Sequence, residues 1–181
     1  MKHVEIYTDG SCRYNPGPGG WGAILVYRGH EREMSGGDAS TTNNRMELTS
    51  AIEALSALRE PCRVTLTSDS KYLTDAINEG WIRGWQKANW RRKSEEIPNA
   101  DLWRRLVVLL GKHDVTFVWV RGHDGHPYNE RCDKMAQAES AKFLGDAGAP
   151  DAGSPDAGAA PDGGEASDPD AGAVDGGEAA K

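Results

Sequence analysis

Long apolar runs are missing from this sequence. It contains no stretch of the roughly 20 apolar residues that a membrane span needs, and its first residues, MKHVEIYTDG, lack the run of roughly 7–15 apolar residues of a secretory signal. Only three cysteines occur, and this odd, widely spaced set (Cys12, Cys62 and Cys132) favours a reducing compartment over a disulfide framework. These absences predict a soluble, cytoplasmic protein that does not contact a membrane.

Aromatic and branched aliphatic residues almost disappear after residue 144. From Gly145 to Lys181 the chain consists almost wholly of Ala, Gly, Asp, Pro and Glu, and Val174 is its only branched aliphatic residue. Such a segment cannot bury enough apolar surface to offset the entropy lost on ordering. The composition therefore predicts one folded domain over residues 1–144 and a disordered acidic tail over residues 145–181.

The net charge of -7 does not describe the folded part. Nine acidic residues against Lys181 give residues 145–181 a charge of -8, which leaves +1 for residues 1–144. A nearly neutral domain can still bind nucleic acid if its charges are segregated. Two hypotheses remain open for the tail: it is an inert solubilising extension, or it competes with nucleic acid for the basic segment of residues 81–93.

Strand-like and helical patterns alternate along the folded part. Two β-rich segments, residues 3–8 and 63–67, each run directly into an aspartate, at Asp9 and Asp69. A hairpin, a crossover helix and a strand parallel to the first would bring both aspartates to one edge of a mixed sheet. The other predicted elements are a turn at 15–20, strands at 21–27, 31–34 and 115–120, a helix capped by Asn43 or Asn44, and helices at 70–79, 101–110 and 129–143.

Four acidic residues are candidates for one metal site: Asp9, Glu47, Asp69 and Asp133. Singly, each fits a structural role in a turn, a capping box or the first turn of a helix. Clustered carboxylates, however, repel one another and are usually retained where cations bind. Oxygen ligands suit Mg²⁺ or Mn²⁺ rather than zinc, and two such ions about 3.5–4 Å apart can promote in-line phosphodiester cleavage.

Four sequence blocks resemble, in order, those of bacterial type I ribonuclease H: YTDGSCRYNPGPGGWGA, TTNNRMEL, TSDSKY and WVRGHDGHPYNERCDKMA. The resemblance extends over residues 1–143 and implies an α/β, ribonuclease H-like fold with a five-stranded mixed sheet flanked by helices. It also implies an Mg²⁺-dependent endonuclease that cuts the RNA strand of RNA–DNA hybrids and leaves 5′-phosphate ends.

The same resemblance implies roles for individual residues. The four acids become metal ligands, with Asp9 touching both ions, and His123 matches a mobile histidine that assists proton transfer or product release. A further group of matching residues implies contacts with the substrate. Asn15, Asn43 and Asn44 match positions near the minor groove and the 2′-hydroxyls, and Thr42 and Asn99 match a pocket for a DNA phosphate.

Residues 81–93 resemble the basic handle by which the bacterial family grips the DNA strand. Cations alternate here with tryptophans, and no acidic residue interrupts the segment. The structural alternative is a helix that buries its rings and exposes its charges. The predicted contacts are Trp81, Trp85, Lys87 and Trp90.

The sequence departs from the family pattern at two positions besides the tail. Ser40 stands where the phosphate pocket often has an arginine, which predicts weaker anchoring there. Lys71 replaces a common glutamine, and its charge could favour the RNA backbone or point to solvent.

Two other functions are alternatives to the nuclease. A hybrid-binding module without catalysis is the first, but all four carboxylates and His123 are present. A DNA-cutting relative such as a resolvase is the second, and such proteins lack the handle and the TTNNRMEL block. We expect a monomeric enzyme with no obligate protein partner.

Overall fold

The computed structural model describes residues 1–144, so the predictions about residues 145–181 lie outside the described residues. Seven strands occur in this part of the chain: β1 (Lys2–Cys12), β2 (Gly17–Tyr27), β3 (His30–Thr41), β4 (Cys62–Ser68), β5 (Arg91–Arg92), β6 (Glu95–Glu96) and β7 (Asp114–Trp119). Five of them form one sheet in the order β3-β2-β1-β4-β7, whereas β5 and β6 form a separate hairpin. Strand β2 is antiparallel to both β1 and β3, and β4 runs parallel to both β1 and β7. The predicted five-stranded mixed sheet is confirmed.

Five helices accompany the sheet within residues 1–144: α1 (Asn43–Ser56), α2 (Lys71–Asn78), α3 (Trp81–Lys87), α4 (Ala100–Lys112) and α5 (Pro127–Ala141). None of the helices within residues 1–144 is long and apolar enough to cross a membrane. The predicted crossover is also confirmed, because α1 connects the hairpin of β2 and β3 to β4, which pairs with β1 in parallel.

Helix α1 packs against the sheet through an apolar face. Leu48, Ile52 and Leu55 recur at helical spacing and are at most 1% exposed. The hydroxyl oxygen of Thr42 accepts a 3.3 Å hydrogen bond from the backbone N–H of Arg45, so Thr42 is the N-cap. The predicted cap at Asn43 or Asn44 is therefore wrong, since both residues already lie in the first helical turn.

Several predicted boundaries move because packing overrides local signals. The turn at 15–20 is shorter, because β2 already begins at Gly17, and α4 continues through Gly111 instead of ending there. Strand β1 extends past Asp9 to Cys12. Helix α5 begins at Pro127, which places Asp133 in its second turn and not in its first.

Helix α5 lies directly on the glycine-rich start of β2. A side chain on Gly22 would place its Cβ 2.7 Å from the carbonyl oxygen of Cys132, so only glycine allows this approach. The backbones of β2 and α5 therefore nearly touch, and this contact fixes the height of α5 above the sheet.

Candidate active site

The first two carboxylates meet where β1 crosses α1. A Cβ on Gly10 would lie 2.4 Å from the backbone carbonyl carbon of Met46 and 2.5 Å from the backbone nitrogen of Glu47. Glycine at this position therefore lets strand and helix approach closely. Asp9 is 4% exposed and Glu47 is 9% exposed, so both acids are buried at the crossing.

Asp69 reaches the same place from the neighbouring strand. Thr8 of β1 pairs with Ser68 of β4, and an aspartate follows each of them. One carboxylate oxygen from each of Asp9, Glu47 and Asp69 lies within 4.8 Å of the other two. The structure thus brings three of the four predicted acids into one cluster.

Asp133 lies beside this cluster on α5. It does not belong to the group with oxygens within 4.8 Å in the described residues, and its carboxylate accepts a 3.0 Å hydrogen bond from the side-chain amide of Gln137. Its negative charge nevertheless contributes to raising the pKa values of Asp9, Glu47 and Asp69, after burial, which is the largest cause for each. The fourth acid is thus close enough to interact electrostatically.

Burial and mutual repulsion make the cluster costly when it is fully ionised. Burial is the largest cause that raises the pKa of Asp9 well above its usual value, followed by the charges of Glu47 and Asp69. Burial likewise raises the pKa of Glu47, with the charge of Asp69 as the next cause. The Oε2 atom of Glu47 is buried and has no hydrogen-bond partner within the described part of the chain.

These features fit a divalent cation. An unpartnered, buried carboxylate oxygen needs a positive partner, and repulsion between adjacent carboxylates is relieved by a bound charge. The donor atoms are all carboxylate oxygens, which suit Mg²⁺ or Mn²⁺. The residues that can hold the metal are Asp9, Glu47 and Asp69, with Asp133 at the side of the cluster.

His123 lies in the loop between β7 and α5. Its side chain is exposed and its φ of 57° is in the left-handed region. Burial raises the pKa of Asp69, while the nearby charge of His123 contributes in the opposite direction. An exposed imidazole therefore stands close to the acidic cluster.

The predicted minor-groove residues lie next to one another at the start of α1. The side-chain oxygen of Asn15 accepts a 3.2 Å hydrogen bond from the backbone N–H of Asn43. Asn44 follows in the same turn and is partly exposed. The loop after β1 and the first turn of the helix that carries Glu47 thus form one polar surface.

Arg45 links the two residues of the predicted phosphate pocket. Its backbone N–H donates to Thr42, and its guanidinium donates to the side-chain oxygen of Asn99 at 3.3 Å. The same guanidinium binds both carboxylate oxygens of Asp101, at 3.0 and 2.8 Å. Ser40 is exposed nearby in sequence, and its backbone N–H donates to Asp38. The interpretation of the sequence did not single out Arg45.

The tryptophans of the handle divide between core and surface. Trp85 and Trp90 are 9% and 8% exposed and belong to the hydrophobic core, which corrects their prediction as substrate contacts and agrees with the alternative that rings of this segment pack inward. Trp81 is only partly buried against that core, and Lys87 is exposed at the end of α3. Two of the three rings therefore anchor the handle, and Trp81 remains available at its surface.

Asn129 is a site residue that the sequence did not reveal. It is 4% exposed in the first turn of α5. Burial, the largest cause, raises the pKa of Asp69, and the polar side chain of Asn129 acts in the opposite direction. The segment around it contains polar residues that are typical of an exposed helix start. Its burial depends on how α5 docks on β1 and β2, and no local sequence pattern indicates that docking.

Comparisons with known proteins agree with this geometry. The model of the RNase H family matches residues 1–141. The chain is 59% identical to the Ribonuclease H of Novosphingobium aromaticivorans over 137 residues, which cover 75% of this chain and 95% of that protein. It is 55% identical to the Ribonuclease H of Nitratidesulfovibrio vulgaris over 140 residues, which cover 77% of this chain and 90% of that protein.

Solved structures give the same result. LC9-RNase H1, a type 1 RNase H with the type 2 active-site motif, superposes with a TM-score of 0.72 at 34% identity, over 79% of this chain and 74% of that one. LC11-RNase H1, solved in complex with an RNA/DNA hybrid, shares the fold with a TM-score of 0.61 at 23% identity, over 78% of this chain and 99% of that one. The match over nearly all of residues 1–144 and the identity to its relatives establish that this chain belongs to the RNase H family.

Proposed function

We propose that this chain is a ribonuclease H that hydrolyses the RNA strand of RNA–DNA hybrids with two divalent metal ions. The observation that carries the proposal is the convergence of Asp9, Glu47 and Asp69 from three separate elements, with oxygens within 4.8 Å of one another. Membership of the RNase H family and the names of the relatives support the same reaction.

The carboxylates of Asp9, Glu47, Asp69 and Asp133 are proposed to hold the ions, which we take to be Mg²⁺ with Mn²⁺ as a substitute. Such ions supply Lewis acidity toward water and phosphate oxygens, which is the chemistry needed for phosphodiester hydrolysis that leaves 5′-phosphate ends. Asp9 is proposed to touch both ions, and its carboxylate lies within 4.8 Å of those of Glu47 and Asp69.

His123 is proposed to move a proton during cleavage or product release. An imidazole changes its charge near neutral pH, and this one is exposed in a loop close to Asp69. Exposure gives it access to solvent, and its proximity gives it access to the strand that is cut.

The hybrid is proposed to be recognised strand by strand. Lys87 and the exposed part of Trp81 bind the DNA backbone without reading sequence.

Thr42 and Asn99 are proposed to bind a DNA phosphate. The amides of Asn15, Asn43 and Asn44 face the minor groove, where 2′-hydroxyls distinguish RNA from DNA. We further propose that the protein acts as a monomer in the cytoplasm.

Cleavage of an end-labelled RNA–DNA hybrid with Mg²⁺ tests the proposal. The intact chain should cut the RNA strand, and Asp9→Asn should bind the hybrid without cutting it. Asp114→Asn is the matched control, because Asp114 is an exposed aspartate paired with Arg63 and lies outside the acidic cluster. Binding without cutting by the intact chain would leave the alternative of a catalytically silent hybrid-binding module.

A further inference from the structure

Lys71 lies against the aromatic ring of Trp119, just after Asp69 in the chain. It is the first residue of α2, two positions after Asp69, and its Nζ atom lies 4.8 Å from the centre of the Trp119 ring. The indole N–H of Trp119 donates a 3.0 Å hydrogen bond to the backbone carbonyl of Asp69. The ring that holds the ammonium group is thus itself fixed to the backbone of a cluster residue.

The ammonium group remains able to bind another partner. A contact with one face of a ring uses only part of a group that has three N–H donors. Lys71 is exposed, and Trp119 is 40% exposed. No salt bridge among residues 1–144 involves Lys71. An exposed ammonium group is therefore held on a ring that is hydrogen-bonded to the backbone of Asp69.

We propose that Lys71 binds a phosphate of the RNA strand and that Trp119 is the positioning residue for its ammonium group. The inference rests on the proposed function, because that function brings the RNA strand to Asp69. A compact ammonium acts as a point charge toward a phosphate and reads no base, so this contact adds affinity without sequence preference. The contact would lie on the β7 side of the cluster, since Trp119 ends that strand.

The salt dependence of binding measures this contact directly. Hybrid affinity is determined at several salt concentrations for the full chain carrying Asp9→Asn, which keeps the substrate uncut. Each phosphate contact contributes about 0.7–0.9 to the slope of log affinity against log salt. Lys71→Gln should reduce the slope by about that amount, and Lys71→Arg should retain it.

Two further variants separate charge from position. Trp119→Leu should lower the affinity several-fold while keeping most of the slope, because the cation is present but no longer held. Lys112→Gln is the control, since Lys112 is exposed at the end of α4 and its ammonium group donates a hydrogen bond to the carbonyl of Leu58. It should keep both affinity and slope. Thermal unfolding of each variant establishes that it is folded.

A neutral methylphosphonate linkage, placed at one backbone position of the hybrid at a time, identifies the strand that Lys71 contacts. At one position in the RNA strand, the neutral linkage should weaken hybrid binding by the protein that has Lys71 and leave binding by Lys71→Gln unchanged. In the DNA strand, it should weaken binding by both proteins equally. An unchanged salt slope in Lys71→Gln, or equal sensitivity of both forms at every RNA position, overturns the proposal. Failure of the intact chain to cut the hybrid would instead refute the proposed function, and the binding results distinguish the two.

Discussion

Asp9 and Glu47 are buried side by side where β1 crosses α1, although both are acids. Burial first, and then the charge of a neighbouring carboxylate, raises the pKa of each. The folded protein without metal therefore binds protons that the unfolded chain releases. Its stability should decrease as the pH rises from the ordinary carboxyl range through the raised pKa values, because ionisation then opposes folding.

Asp9→Asn should raise the free energy of unfolding at pH 7 in the presence of a chelator, on the order of 1 kcal/mol or more. The substitution keeps the shape of the side chain and removes a buried charge that has no compensating cation. Urea unfolding with EDTA measures the change. Asp114→Asn, the exposed control, should change it by less than about 0.5 kcal/mol. A less stable Asp9→Asn protein would contradict the electrostatic explanation.

Addition of Mg²⁺ should stabilise the parent chain by mass action, by about 2.7 kcal/mol at a concentration one hundred times the dissociation constant. Asp9→Asn should lose most of this increase because it lacks the central ligand. The shift in Tm with increasing Mg²⁺ gives the comparison without any catalytic assay. An equal shift in both proteins would place the ion elsewhere.

His113 should make stability depend on pH in the opposite direction. Its Nδ1 accepts a 3.1 Å hydrogen bond from the backbone N–H of Cys62, and burial, the largest cause, lowers its pKa. The neutral form therefore contributes stability above the unfolded pKa of about 6.5 that is lost as the pH falls toward the lower folded value. His113→Gln retains an acceptor that does not titrate.

The difference in unfolding free energy between the parent chain and His113→Gln, measured from pH 5 to 7.5, isolates this effect because other titrating groups cancel. The parent should lose relative stability toward pH 5. A difference that is constant across this range would show that protonation of His113 is not linked to unfolding.

Asp101→Asn should raise KM for the hybrid more than it changes kcat. Asp101 binds the Arg45 guanidinium that also contacts Asn99, so its charge orients the predicted phosphate pocket. The ion pair is largely exposed, with side-chain exposures of 36% and 61%, and should contribute at most about 1 kcal/mol to stability. Steady-state kinetics and urea unfolding separate the two effects. Equal losses in kcat and stability would indicate a general structural defect.

The strands and helices that could be predicted are those with a local, periodic pattern of apolar residues. Residues 3–8 and 63–67 are strands, and their parallel pairing brings Asp9 and Asp69 together as expected. The roles of the cluster residues and of His123 remain predictions for the cleavage assay.

The features that were missed depend on tertiary contacts. Cations and tryptophans alternate in the handle, and this pattern is compatible with burial of either face of the helix. Packing against Trp103 and its neighbours determines that Trp85 faces inward. The hairpin of β5 and β6 has two residues per strand, which is too short for a period to emerge. Asn129 is polar in a polar segment, so nothing local indicated its burial.

At Gly10, contact between two backbones determines the spacing of two proposed metal ligands. Since β1 and α1 touch there, the gap between Asp9 and Glu47 is set by backbone contact more than by the choice of rotamer. Ca²⁺ is larger than Mg²⁺ and takes more ligands at longer distances. Widening this centre for calcium would therefore begin at residue 10 and leave the acids unchanged. A single methyl group there would push the strand and the helix apart.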